Sequence, residues 1–222
     1  RHLAAGVKAQ GSMYGVPLAH KDMFYRPGVG ASGGTEIRRD WIASTTATAL
    51  SRIDQEGAIQ VGRLSMSEFA AGPTGHNIHY GHCRNAYNRD HIAGGSSSGS
   101  GVAVSARLVF GALGSDTGGS VRLPAAVNGV LGLKPTYGRV SRYGVMPRSW
   151  SLDHVGVLAR TASDCAVMMN AIAGADKNDS TASAHRVPDY RAALGQSIKG
   201  LRVGVPSIES LGYPIEPDVV AG

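Results

Sequence analysis

The segment Gly111-Ala-Leu-Gly-Ser-Asp-Thr-Gly-Gly-Ser-Val-Arg-Leu-Pro124 carries the strongest chemical signal in the chain, because Ser120 follows two glycines and precedes a run compatible with a helix. A serine so placed is set up as a nucleophile. Gly118 and Gly119 permit a sharp backbone turn and keep side chains out of the path of a substrate carbonyl. The amides of Thr117, Gly118, Gly119 and Ser120 are then free to donate, as an oxyanion requires. Upstream lie a Ser/Gly cluster, Gly94-Gly-Ser-Ser-Ser-Gly-Ser-Gly101, and Lys21 within Gly15-Val-Pro-Leu-Ala-His-Lys-Asp22. A serine hydroxyl is a poor nucleophile until a base takes its proton. Lys21 can serve if burial among small residues lowers its pKa from ~10.4 toward ~7 to 8, a shift worth roughly 3 to 5 kcal/mol.

The order of lysine, serine-rich loop and serine closely resembles the amidase signature family, whose Ser-Ser-Lys triad is carried by three such motifs. Ser96 and Ser120 stand 24 positions apart (96 to 120), the family's own spacing between bridging serine and nucleophile. The resemblance continues through Gly129-Val-Leu-Gly-Leu-Lys-Pro-Thr-Tyr-Gly-Arg-Val-Ser-Arg-Tyr-Gly144 and Ser151-Leu-Asp-His154. It implies that Ser120 attacks an amide carbonyl, that Ser96, after a cis peptide bond, relays the proton, and that Lys21 is the base. It also implies an acyl-enzyme, an oxyanion site at Thr117, Gly118 and Gly119, and no cofactor. A small amide is the implied substrate, and the amidase subunit of a tRNA-dependent amidotransferase is an alternative that looks similar across these motifs. Relatives in this family are roughly twice as long. Residues 1–222 are therefore expected to form a single amidase-signature domain without its N-terminal helices and C-terminal part.

Other chemistries fit less well. Ser97 satisfies Gly-x-Ser-x-Gly through Gly95 and Gly99, but no downstream acid and histidine can be picked out to complete that triad. His76, His79, His82 and Cys83 are spaced closely enough for a metal, yet Gly72, Pro73, Gly75 and Gly81 break any helix that would align them, so no metal is expected. In relatives this stretch lies near the cleft, so Tyr80, His82 or Cys83 could shape the pocket. The glycine loops match neither the P-loop nor the dinucleotide pattern. A non-catalytic anion-binding or scaffold domain is the remaining alternative. Asp116 and Arg122 flank the nucleophile and are expected to brace its loop as an ion pair.

Composition bounds these readings. The chain is 42% hydrophobic and 17% charged over 222 residues, enough to bury a substantial core in one globular domain. Its 31 glycines cluster between apolar runs without a period, which fits tight turns rather than a repeat. Net charge is +6, but the 22 basic residues are scattered, so a nucleic-acid face is not expected outside an amidotransferase complex. Two cysteines make no disulfide framework and fit a reducing, cytoplasmic setting; no apolar stretch reaches the ~20 residues of a membrane span. Homo-oligomerisation stays open.

Elements must then position the three motifs. Val16, Leu18 and His20 alternate with Pro17, Ala19 and Lys21, which predicts a short strand ending near the lysine. Ala47, Leu50 and Ile53 predict a helix over 45–56, capped by Ser44 or Thr45 and stopped by Gly57, followed by a short buried strand at 58–61. Ser65-Met-Ser-Glu68 has the spacing of a capping box and predicts another helix. A small-residue helix over 102–110 is expected to run into a strand at 108–113. Thr161 and Asp164 cap a helix running to about 173, residues 176–199 read as loop, and 201–205 as a strand ended by Pro206. Residues 1–10 look like the end of a helix. Strands alternating with helices argue for an α/β/α sandwich around a mixed, mainly parallel sheet.

Overall fold

The computed structural model of the chain describes residues 11–204, 207, 212 and 214–221. In chain order the elements are β1 (Pro17–Lys21), α1 (Thr48–Gln55), β2 (Ile59–Leu64), α2 (Ser98–Ser105), β3 (Gly111–Asp116), α3 (Arg122–Val127), β4 (Leu131–Leu133), β5 (His154–Ala159), α4 (Ala162–Ile172) and α5 (Pro217–Ala221). The strands form one sheet in the order β2-β1-β3-β5-β4. β1 pairs in parallel with both β2 and β3, whereas β5 runs antiparallel to β3 and β4. Four strands thus point one way and β5 opposes them.

Alternation along the strands divides the core in two. Leu18, Leu113, Val155, Val157 and Ala159 face α1 and α4, where Leu50, Ile53, Met168, Met169 and Ile172 meet them. Ala19, Ala112 and Leu158 face the other way, toward Ala103 and Val104 of α2 and Ala125 of α3. Leu50, Ile53 and Ile172 are wholly buried, each worth roughly 1.5–3 kcal/mol relative to exposure. The result is the α/β/α sandwich expected from the sequence.

The second face is the one that brings the serine loops together, and it is built from small residues. A Cβ on Gly114 of β3 would lie 2.7 Å from Ser97 Oγ and 3.0 Å from Leu158, so the absent side chain lets the start of α2 press onto the strand. Ser98 and Ser100 then donate to the carbonyls of Ser65 (3.3 Å) and Leu113 (3.0 Å). Serine and glycine are poor helix formers. Here the neighbours take up their hydroxyls, which is why α2 begins at Ser98 rather than at Val102, where apolar pattern alone placed it.

Several local expectations are corrected in the same way. Helix α1 starts at Thr48, with Ala47 as a cap that offers no side-chain bond; Ser44 and Thr45 precede it as irregular chain. β2 is longer than 58–61 and largely exposed, because it is the edge of the sheet and lacks a neighbour on one side. The 65–68 capping pattern yields only a three-residue 3-10 turn, Glu68–Ala70, since Phe69 and Ala70 adopt φ of 50° and 56° and a helix cannot continue through them. β4 and β5 were not anticipated. Residues 201–204 form no strand, and Val205, Pro206 and residues 1–10 lie outside the described residues. By contrast β1, and α4 with Thr161 accepting from Asp164 N–H, fall where the sequence put them. Among the described residues no helix is long and apolar enough to cross a membrane.

Candidate active site

Lys21 ends β1 with none of its surface exposed. Its Nζ donates to Ser96 Oγ at 2.6 Å and to Ser115 Oγ at 2.8 Å. Among the described residues it makes no ion pair with a carboxylate. Burial strips water from the ammonium and brings its pKa down from 10.5 to about 7; Asp116 and Asp153 pull weakly upward and Arg148 pushes further down. At neutral pH a substantial share of Lys21 is therefore an uncharged amine able to accept a proton.

Ser96 is fully buried, and the peptide bond between Gly95 and Ser96 is cis. Its carbonyl accepts from Ser67 N–H at 3.1 Å, which fixes the loop from behind. Ser97 rivets this loop to the segment that carries Ser120: its N–H donates to Ser120 O (3.2 Å), and its hydroxyl donates to Ser115 O (3.2 Å) while accepting from Ser115 N–H (3.3 Å). A hydroxyl buried and engaged with β3 in that way is a structural tie, which argues against the Gly-x-Ser-x-Gly reading of Ser97.

Ser120 is 8% exposed and sits on a turn organised by Asp116. The Asp116 carboxylate, itself wholly buried, accepts from Gly119 N–H (2.8 Å), Val121 N–H (3.1 Å) and Arg122 N–H (3.3 Å). The Arg122 guanidinium closes on it with Nε and Nη2, both at 3.0 Å. Burial pushes this carboxyl up, but the guanidinium and the two backbone donors that follow Ser120 outweigh it and hold the group below its ordinary range. The bracing ion pair expected from sequence is present. Gly119 turns the chain at φ 142°, a region that side chains disfavour. Because its N–H is committed to Asp116, the amides that donate to no protein acceptor among the described residues are those of Thr117, Gly118 and Ser120.

The structure thus joins Lys21 directly to Ser96, and links Ser120 to their loop through the Ser97 amide. No hydrogen bond connects the hydroxyls of Ser96 and Ser120 among the described residues. Two side chains in contact with these groups escaped the sequence reading. Ser115 is the second partner of Lys21 and also donates to Met23 Sδ at 3.0 Å. Asp153 accepts from Thr117 Oγ1 at 2.6 Å and from Arg148 N–H and Ser149 N–H at 2.7 and 2.8 Å, so one carboxylate clamps the turn before Ser120 to the 148–153 loop. Both lie within the family-like motifs. Only the strand pairing of β3 with β1, which sets Ser115 beside Lys21, gives the first its meaning.

A cavity of about 300 Å³ opens beside this cluster, lined among others by Met23, Ser115, Met146, Trp150, Asp153 and His154. A second, of about 240 Å³, includes Tyr80 with Asp22, Arg39 and Arg63. His82 and Cys83 line neither. The histidine-rich stretch has local partners: His79 Nε2 lies 3.0 Å from Glu68 Oε1, and His82 Nδ1 lies against the Asn77 backbone at 3.1 Å. Among the described residues no group of three or more His, Cys, Asp or Glu side chains is placed to hold a metal ion. Burial pushes both thiols up, Cys165 to about 11, so neither resembles an activated nucleophile.

The chain is similar to several known proteins. The A subunit of the glutamyl-tRNA(Gln) amidotransferase of Pseudomonas fluorescens is 49% identical over 197 residues, covering 89% of this chain and 41% of that protein. Its counterpart in Methylococcus capsulatus is 47% identical over 209 residues, or 94% and 43%. Among solved structures, the peptide amidase of Stenotrophomonas maltophilia superposes with a TM-score of 0.79 at 38% identity, over 86% of this chain and 41% of that one. The glutamyl-tRNA(Gln) amidotransferase A subunit from Thermotoga maritima superposes with a TM-score of 0.78 at 39% identity, over 81% and 40%. The chain therefore spans about two-fifths of the length of the curated relatives it matches. The Amidase family profile matches residues 1–221, essentially the whole sequence, and the chain belongs to that family.

Proposed function

We propose that the protein carrying this chain hydrolyses carbon–nitrogen bonds of small amides through an acyl-enzyme on Ser120. The observation that carries the reading is a buried lysine whose Nζ donates, among the described residues, to hydroxyls alone. Neutral Lys21 takes the Ser96 proton as Ser96 takes that of Ser120, and Ser120 Oγ bonds to the substrate carbonyl carbon. The oxyanion is met by the amides of Thr117, Gly118 and Ser120, with Gly119 shaping the turn. Collapse breaks the carbon–nitrogen bond as the proton returns through Ser96 to the departing amine. Water, activated by the same relay, then releases the acid and restores Ser120.

The 47–49% identity to amidotransferase subunits favours a second reading of the same chemistry, in which glutamine is the amide and the ammonia passes to a partner. A fluorophosphonate probe tests the shared core. It should label the wild-type protein on Ser120, and Ser120→Ala should lose both the label and turnover, on the order of 10⁴-fold or more. Full turnover in Ser120→Ala would overturn the mechanism. Brisk hydrolysis of simple amides by the isolated protein favours the free amidase, whereas glutaminase activity that rises with aminoacylated tRNA and added partner proteins favours the complex.

A further inference from the structure

Arg148 is held at both ends yet left without a counter-ion. Its backbone N–H donates to Asp153 Oδ2 at 2.7 Å, and Oδ1 of that carboxylate accepts from Thr117 Oγ1 at 2.6 Å, so the residue is anchored to the turn that carries Ser120. At the far end, Nη1 donates to Ala70 O at 2.6 Å. Ala70 closes the turn that begins at Ser67, whose N–H donates to the Ser96 carbonyl. The side chain therefore spans the gap between the nucleophile's turn and the bridging serine's loop. Its charge is felt at Lys21, which it helps to keep neutral.

Arg122 is matched with Asp116, Arg63 with Asp22, Arg39 with Glu36 and Arg26 with Asp54, whereas Arg142 spends its guanidinium on the Trp150 carbonyl and the Thr181 hydroxyl. Among the described residues Arg148 pairs with no carboxylate, and its side chain has a carbonyl as its one acceptor. A guanidinium presents five donors in a planar fork suited to a carboxylate, and fixing its position in advance lowers the entropy lost on pairing. Arg148 is exposed at the edge of the 300 Å³ cavity, which Pro147 before it and Trp150 two residues on help to line, a volume suited to a small molecule.

We infer that Arg148 is a specificity residue that receives an anionic group on the substrate, a carboxylate in the simplest case, while Ser120 attacks the amide at the other end. The inference rests on the amidase reading above and narrows its substrate class to small amides that bear a negative charge. Succinamate and butyramide form the test pair, since they share a four-carbon amide chain and differ in the terminal carboxylate. The wild-type protein should prefer succinamate in kcat/KM, with the difference residing mainly in KM. Arg148→Met should shrink that preference at least about 30-fold, as for loss of a charged hydrogen bond, and Arg148→Lys should recover part of it. An unchanged preference, including an equal fall on both amides, would show that Arg148 only braces the loops and would overturn the inference while leaving the amidase reading intact. Calorimetric titration of succinamate into Ser120→Ala, with and without Arg148→Met, separates the two. Arg148-dependent binding supports the anion site even if the wild type turns over neither amide, an outcome that would count against the free-amidase reading alone. Binding indifferent to Arg148 overturns the site.

Discussion

Lys21, at the end of β1, and Asp116, at the end of β3, are both ionisable, both fully buried and close enough to influence each other, yet the fold treats them in opposite ways. Asp116 is surrounded by three backbone donors and a guanidinium, so its charge is retained and its carboxylate becomes a brace. Lys21 is given two hydroxyls and, among the described residues, no carboxylate, so its charge is the weaker option and its amine is free to act as the base of the proposed mechanism. Burial disfavours the charged form of both. The partners decide whether a buried group stabilises the fold or stores reactivity at the fold's expense.

Substitutions should therefore move stability in opposite directions. Removing the brace has the larger effect: Asp116→Ala leaves three N–H groups and Arg122 without their acceptor and should cost about 3–5 kcal/mol in urea unfolding, with loss of turnover. An Asp116→Ala protein as stable as the wild type would break the contrast.

Replacing the base should do the reverse. Lys21→Met abolishes turnover but removes the cost of burying an amine, and should gain roughly 1–3 kcal/mol at pH 7. The sign follows from linkage. Lys21 titrates near 7 when folded and near 10.5 when exposed, so between those values the unfolded chain binds more protons and wild-type stability rises with pH. The variant's advantage should be fully present below about 7 and fade as pH approaches 10.5. Turnover by the wild type should rise with pH on a limb centred near 7, where the amine loses its proton. A limb centred near 10, or a destabilised Lys21→Met protein, would show that Lys21 is an ordinary paired cation.

Ser115→Ala sharpens the comparison with the smallest change. Deleting one of two acceptors on Nζ disfavours the ammonium further, so the activity limb should move to lower pH while kcat falls about tenfold, equivalent to one hydrogen bond. A pH profile identical to the wild type would assign Ser115 to packing against Met23 alone.

The sequence was most legible where chemistry and local geometry coincide. Ser120 behind its two glycines, the Asp116–Arg122 pair and the Thr161–Asp164 cap are all specified within a few residues, and local physics suffices for them. It was least legible where packing outvotes propensity. The Ser/Gly run at 98–105 becomes a helix because β3 and the 65–67 segment accept its hydroxyls, and the 65–68 capping pattern fails because Phe69 and Ala70 turn left-handed against it. The exposure of β2 follows from its place at the sheet edge, which no window of sequence encodes.

Taken alone, the amino-acid order determined which groups could react: Lys21, Ser96 and Ser120, carried by motifs whose spacing marks a family. The tertiary structure decided what each group is. Pairing β1 with β3 sets Ser115 and, among the described residues, no carboxylate beside Lys21, and Asp153 ties the Arg148 backbone to the turn at Thr117. The reason is physical. Side-chain type is local, but desolvation and the identity of a charge's neighbours depend on segments far apart in the chain, and those two terms fix whether an amine is a base or a cation.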